Sequence, residues 1–441
     1  MTSKKFIILL CIFSLISGIF WGANYSIEPK DDALVYDQRA LLILEKGVFF
    51  KEAQILDRPL YPIFLAGIYK IFGHNYWAVR IIQIFLFIFI CFLVYRICQM
   101  IFDEKIARLA SLITALCYSL ASFTGVLLRE AFLPFLIVLL FYCLYKAQLS
   151  YKNIWFIFSG VVMGLAVLTN IILQFLPLLI IFNFLIIGWK LGLKKIYPKI
   201  IMFFLAFSLV IAPWLIVDFL HFNSLPFSTG GGLHLSSKVE KMKNIEDRYI
   251  QHLVGNVLGD FFAQKLYPNY DQKEVRLGWQ SFKRYYNWID QGKDQAVIDN
   301  IMSQEAKQEI LKHPIMFLKI TSIDFLKFNT PMIPNVRMQH MFAETHPELS
   351  DFTKASIILI IRFFYLIFFA LIIYAIIKNI KNWQKMSWFF IIILYFNIIY
   401  SLIHAIARYS LPIYPLYIIL FTLGVLTIGQ KLSIKSFKPL L

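Results

Sequence analysis

The sequence predicts an all-α polytopic membrane protein, and three observations carry that prediction. Of the 441 residues, 59% are hydrophobic and only 16% are charged, too little polar surface to cover a soluble globule. Apolar stretches of about 18 to 22 residues recur, matching the roughly 20 that a helix needs to cross a hydrocarbon core. The alternating apolar and polar pattern of a membrane β-barrel is absent.

Taken in order, the first apolar run is Phe6 to Ala23, behind Lys4 and Lys5. It is long for the apolar region of a signal peptide and lacks a convincing cleavage site, so it reads as a retained first helix. Further spans fall near 81–102, 108–125, 131–147, 154–169, 171–189, 200–220, 355–377, 386–406 and 410–430, giving about ten crossings. With a cytoplasmic N-terminus, alternate loops carry Lys105 with Arg108, Lys146 with Lys152, Lys190 to Lys199, Lys378 to Lys385 and Lys431 to Lys438. That is the positive-inside pattern, and it places both termini in the cytoplasm. The same pattern accounts for the net charge of +17, because the lysines cluster between apolar runs and form no stripe of the kind that binds nucleic acid.

Two long segments fall on the opposite, external face. Residues 24–80 contain "YDQRALLILEKGVFF", with apolar residues at helical spacing, and "RPLYPIFLAGIYKIFG", apolar with Pro59 and Pro62 near its start. Both read as juxtamembrane helices lying in the interface. Residues 221–354 open on the Gly-rich "STGGGLHLSSK" and are polar and mixed in charge, consistent with a small, mostly helical external domain. The division is therefore an N-terminal transmembrane module (1–220), the external domain (221–354) and C-terminal transmembrane helices (355–441).

Charge near membrane depth is costly and functional by default. The external boundary residues are Asp31, Asp32, Asp37, Asp57, Arg58, Arg129, Glu130, His404 and Arg408, which folding could gather into one pocket. Each has a plainer role beside this one. Asp31 can cap the juxtamembrane helix, and Glu130 suits the positive end of the helix it opens. Asp57 and Arg58 can form a surface ion pair of little energetic weight. His404 and Arg408, four apart, share a face if they lie on one helix, where Arg408 can also serve as an interfacial anchor. The remaining histidines form no HExxH-like pattern, so a divalent metal has no ligand motif, and the five cysteines all lie within apolar runs. No P-loop, dinucleotide fingerprint or nucleophile elbow occurs, which argues against a soluble nucleotide donor and for a substrate arriving through the lipid.

These stretches carry a resemblance. "DDALVY", with Asp32 followed four residues later by Tyr36, "DRPLYPIFLAGIYKIFG", "GVLLREAFLPFLIVLL" with Glu130, "GVVMGLAVLTN", "APWLIVDFLHFNSLPFSTGGG" and "ARYSLPIYPL" stand in the order seen in polyprenyl-phosphate-sugar-dependent glycosyltransferases. The chain resembles the GT-C superfamily, in the glycosyltransferase family 39-like branch that holds protein O-mannosyltransferases and lipid A aminoarabinose transferases. It departs from that pattern after "APW", where "VDFLHFN" replaces a common Arg-Asn, and at "LTN", which replaces a basic ending.

The resemblance implies a GT-C fold and transfer of a sugar, usually with inversion, from a polyprenyl-phosphate donor to an acceptor hydroxyl at the periplasmic face of an inner membrane. The acceptor would be lipid A or another glycolipid, a surface polymer, or a protein. Asp32 would be the general base, Arg58 and Arg408 would stabilise the leaving phosphate, and Glu130 with Asp57 would orient sugar or acceptor. Tyr36 and Tyr61 would line the sugar site, with His404 beside it. Two other classes stay open: a flippase or transporter of lipid-linked sugars, which predicts ionisable groups at the midplane, and a noncatalytic assembly protein using the 221–354 domain.

Overall fold

The computed structural model describes residues 2–23, 28–49, 59–189, 192–222, 230–271, 278–330 and 350–429. Every regular element among them is a helix, the outcome that apolar surroundings impose, since a helix satisfies its own backbone donors and acceptors. The chain separates into two compact units: one of residues 1–227, 371–395 and 411–441, the other of 228–370 and 396–410.

The first unit begins with α1 (Ser3–Gly22), α2 (Asp32–Lys46), α3 (Leu60–Phe72), α4 (Tyr76–Ile101), α5 (Glu104–Leu116) and α6 (Tyr118–Ser122). It continues with α7 (Arg129–Ser150), α8 (Asn153–Thr169), α9 (Leu176–Gly188) and α10 (Leu193–Phe222). The two helices expected within 24–80 form as α2 and α3, with Pro59 at the N-cap of α3, where a missing N–H costs nothing.

Among the described residues seven helices are long and apolar enough to span a membrane, eight if one bent pair counts as a single span. The expected ten differ for identifiable reasons. α8 is only 17 residues, or about 26 Å at 1.5 Å per residue. The 49-residue run Ala355–Ile403 counts once although a 3₁₀ turn at Ile380–Asn382 divides it.

The bent pair replaces the single span expected at 108–125. α5 stops before Cys117, and α6 with the 3₁₀ turn Phe123–Gly125 departs by 49°. Contact with α1 holds this shape. Thr124 Oγ1 donates to the Gly18 carbonyl at 3.1 Å, and a Cβ on Gly125 would lie 2.2 Å from the Gly22 carbonyl oxygen. Glycine also sets the approach of α8 to α10: a Cβ on Gly160 would sit 2.2 Å from the Phe203 carbonyl, and one on Gly164 2.7 Å from Val210. Four-residue spacing of small residues lets two backbones meet where lipid offers no hydrophobic drive for association.

The second unit contains α11 (Gly231–Asn244), α12 (Tyr249–Leu258), α13 (Asp260–Leu266), α14 (Trp279–Asp290), α15 (Gln295–Lys312) and α16 (Pro314–Phe328). It also takes the first part of α17 (Asp351–Asn379) and the end of α18 (Trp383–Ile403); α19 (Tyr414–Gly429) lies in the first unit. α11 is the organiser. Val239 and Met242 pack with Ala306, Met316 and Ile320, while Leu233 packs with Tyr285, Ile298 and Met302. The Gly-rich start of α11 is held by Asp299, whose Oδ1 accepts from the backbone N–H groups of Gly230, Gly232 and Leu233 at 2.8 to 3.2 Å. A Cβ on Gly232 would fall 2.0 Å from the Asp299 carbonyl, so the glycine run serves close approach.

Gly160→Ala is expected to lower the melting temperature of the purified protein, since α8 and α10 must separate, at a cost of about 1–3 kcal/mol. Gly67→Ala, in α3 with nothing within 4 Å of its added Cβ, is expected to leave it unchanged or raise it. Melts of the two variants in one detergent check both.

Candidate active site

Within residues 28–49 the chain forms α2, with Asp31 and Asp32 at its start. Asp31 occupies the N-cap but makes no side-chain capping bond, and its φ of 50° is unusual outside glycine. The capping role expected for its side chain is therefore not realised; its carbonyl instead accepts from Leu34 and Val35. Asp32 is the first helical residue and is exposed. One turn on, Tyr36 shares its face of the helix and is buried.

Tyr36 meets Tyr61 of α3 edge to face, with ring centroids 5.1 Å apart. Tyr61 is fully buried, donates its hydroxyl to Gln83 Oε1 of α4 at 2.8 Å, and packs against Phe64 and Phe132. Gln83 passes the link on, its amide donating to the carbonyls of Thr124 and Val126 at 2.9 and 3.0 Å. Glu130, buried in the first turn of α7 next to buried Arg129, stands two residues before Phe132, whose ring packs on Tyr61. The fold thus assembles Tyr36, Tyr61 and Glu130 into one aromatic and acidic wall, with Asp32 one turn along α2.

Two members of this neighbourhood escaped the sequence reading. Gln83 sits inside the expected span 81–102, where an amide within an apolar run was the available signal. His74 had no motif. With Tyr69 and Tyr76 it surrounds Asp37: Tyr69 and Tyr76 donate their hydroxyls at 2.6 and 3.2 Å, and His74 Nε2 lies 2.9 Å from Oδ1. Asp37 is buried and ties α2 to α3 and the start of α4, which makes it a structural carboxylate.

Asp57 and Arg58 lie outside the described residues. His404 and Arg408 belong to the second unit, and they do not share one helix face as expected. α18 ends at Ile403, residues 404–406 are non-helical, and Arg408 sits in a 3₁₀ turn (Ala407–Ile413) containing Pro412. Arg408 lies over the Tyr409 ring at 5.8 Å.

His404 instead joins a basic group. Its Nδ1 is 3.3 Å from Lys241 Nζ and its ring stacks on His234 at 5.6 Å. Burial first, then Lys241, His234, Lys327 and Lys238, hold its pKa well below the usual histidine value, so it is neutral at pH 7. Among the described residues no group of three or more His, Cys, Asp or Glu could hold a metal ion.

Comparison with known proteins matches a family model of dolichyl-phosphate-mannose-protein mannosyltransferases to residues 57–216. No curated protein matches the sequence. Among solved structures, the archaeal oligosaccharyltransferase AglB from Archaeoglobus fulgidus, in complex with an inhibitory peptide and a dolichol-phosphate, superposes with a TM-score of 0.53 at 14% identity. The match covers 97% of this chain and 50% of AglB; the apo form of that oligosaccharyltransferase gives 0.54 at 12% identity, again 97% and 50%. ArnT from Cupriavidus metallidurans bound to undecaprenyl phosphate gives 0.41 at 12% identity, covering 97% and 78%. The chain resembles the GT-C glycosyltransferases and has their fold, that of a multi-pass membrane protein, and it spans half the length of the oligosaccharyltransferase it matches.

Asp37→Ala is expected to destabilise the protein by about 2 kcal/mol, because it strips the acceptor from the buried Tyr69 hydroxyl, the partly buried Tyr76 hydroxyl and His74; Asp32→Ala, at an exposed position, should barely move the melt. In the second unit, burial pushes the Lys327 pKa down to about 8 and lowers those of Lys238 and Lys241. The unfolded chain therefore binds more protons between about pH 8 and pH 10.5, stability rises with pH across that window, and the full penalty is felt below it. Melts at about pH 7.5 and about pH 10 should show this rise, and Lys327→Met should flatten it.

Proposed function

We propose that this chain is a membrane glycosyltransferase that moves a sugar from a polyprenyl-phosphate donor to an acceptor hydroxyl, with Asp32 as general base. The observation that carries the reading is an exposed carboxylate on the first residue of α2, one turn from the buried Tyr36–Tyr61 wall that Glu130 adjoins, within a GT-C fold. The dolichol-phosphate held by AglB supports a lipid-phosphate donor here.

In this mechanism the acceptor oxygen attacks the anomeric carbon as the bond to the donor phosphate oxygen breaks, and the electron pair leaves on the phosphate. The acceptor proton passes to Asp32. A carboxylate is a weak base, so proton transfer is late and alignment contributes more than basicity. A single displacement inverts the anomeric centre. Arg58 and Arg408 are proposed to stabilise the leaving phosphate, as guanidinium groups suit oxyanions. Glu130 with Asp57 would orient the sugar, Tyr36 and Tyr61 would offer aromatic faces, and His404 would border the acceptor.

The basic loops support placing this site on the periplasmic face of an inner membrane, with both termini cytoplasmic. Within the 1–220 module the loop 24–80 would carry the catalytic residues. The 221–354 domain would shape access for a lipid, polymer or protein acceptor, and the 355–441 helices would complete the membrane part.

Wild type is expected to release free polyprenyl phosphate from a panel of polyprenyl-phosphate sugars supplied with envelope lipids and proteins. Asp32→Asn, folded by its melt, should lower that release about 10²–10⁴-fold. Equal release by both would remove Asp32 as the base. No release from any donor, together with movement of a lipid-linked sugar across a proteoliposome, would replace the enzyme with a transporter.

A further inference from the structure

A helix that borders water turns its apolar side inward and its polar side out. Two neighbouring helices of the second unit do the reverse. On α12, Ile250, Leu253, Val254 and Val257 recur at spacings of three, one and three, which puts them on one helix face. That face points outward: Ile250 and Val257 are exposed and the two residues between them half-buried, while His252 on the same helix is fully buried. On α16 the outward stripe is Ile315, Leu318, Ser322 and Phe325, its three apolar members between 47 and 70% exposed. Asp324 of the same helix is turned inward instead, 3.1 Å from the Nζ of buried Lys238.

The two helices touch, since the Tyr249 and Ser322 hydroxyls meet at 3.0 Å and Lys319 Nζ lies over the Tyr249 ring at 5.5 Å. Single exposed apolar residues are ordinary on any surface, whereas aligned stripes on packed helices mark a surface made for a partner.

The anchoring of the two helices identifies that partner. Arg362 of α17 donates to the Gly255 carbonyl of α12 at 3.2 Å, and a Cβ on Gly259, just past α12, would lie 3.6 Å from Arg362 and 3.9 Å from Ile358. At this level of α17, Ile360, Phe363 and Phe364 are exposed, the surface that a membrane-crossing helix turns to lipid. The end of α16 is tied to the other long apolar helix: Phe328 stacks on Tyr400 of α18 at 5.4 Å, and Asn329 donates to Asn397 at 2.7 Å. Both helices are therefore held against membrane-crossing segments, and their outward stripes continue the lipid-facing surface of α17.

We propose that α12 and α16 lie in the membrane interface, with the Ile250–Val257 and Ile315–Phe325 faces packed on the acyl chains of the leaflet that α17 enters. Lys319, exposed at the edge of the α16 stripe, suits that position, because a long cationic side chain keeps its charge at the water boundary while its stem lies in apolar surroundings. Part of the segment whose sequence reads as a polar external domain is then a lipid-facing platform, whatever reaction the first unit performs.

The test uses the full chain in phosphatidylcholine nanodiscs, with the half-buried Cys11 and Cys117 replaced by alanine. A nitroxide is attached at Val257→Cys on α12, at Leu318→Cys on α16 and, as an aqueous reference, at Lys283→Cys on the exposed side of α14. Collision of the nitroxide with oxygen, which concentrates among acyl chains, is compared with its collision with a water-soluble nickel chelate. The oxygen-to-nickel ratio is expected to be higher at positions 257 and 318 than at 283. A ratio at either position no higher than at 283 would place that helix in water and overturn the proposal. Weak collision with both reagents would mean that protein covers the stripe, either a second copy of this chain or another segment of it, and would overturn the proposal equally.

Discussion

Every backbone donor and acceptor in the membrane-spanning helices must be satisfied within the protein, and that requirement shapes the rest. It selects helices throughout the described residues and leaves unpaired backbone groups only at helix ends. Polar chemistry therefore collects where helices begin and stop: Asp32 at the start of α2, Glu130 in the first turn of α7, and His404 just past α18. With no hydrophobic drive between helices in lipid, their association rests on close contact, which explains why Gly125 and Gly160 meet carbonyl oxygens where no Cβ would fit.

Buried polar groups follow a second rule, that each needs a partner. In the first unit two such groups organise the region around Tyr36. Gln83 bridges Tyr61 to the carbonyls of Thr124 and Val126, and Asp37 collects two tyrosine hydroxyls and His74. Such networks rigidify what they join. Here they lock α2, α3 and α4 into the arrangement that sets Tyr36 against Tyr61. In the second unit Lys238 pairs with Asp324, and Lys241 meets the His404 ring.

Much was legible in the sequence because it depended on one-dimensional spacing. Apolar run length fixes helix positions to within a few residues, as α1, α4 and α7 show against the runs 6–23, 81–102 and 131–147. The prolines near the start of α3 and the amphipathic stretch of α2 were equally local signals. Asp32 and Glu130 stood out because charge at a span boundary can be read from a single stretch, and Tyr36 through the family resemblance of "DDALVY".

What tertiary structure decided were contacts between distant segments, where each partner looks ordinary alone. The bend at Cys117 depends on Thr124 reaching α1, more than a hundred residues earlier. The break after Ile403 separates His404 from Arg408 although they are four apart, and His404 finds Lys241 instead, 163 positions away. Periodicity and hydropathy are summed locally along the chain, so they determine which segments become helices and which face each buries. The cost of burying a charge is settled only when the opposing helix supplies or withholds a partner, and that choice belongs to the fold.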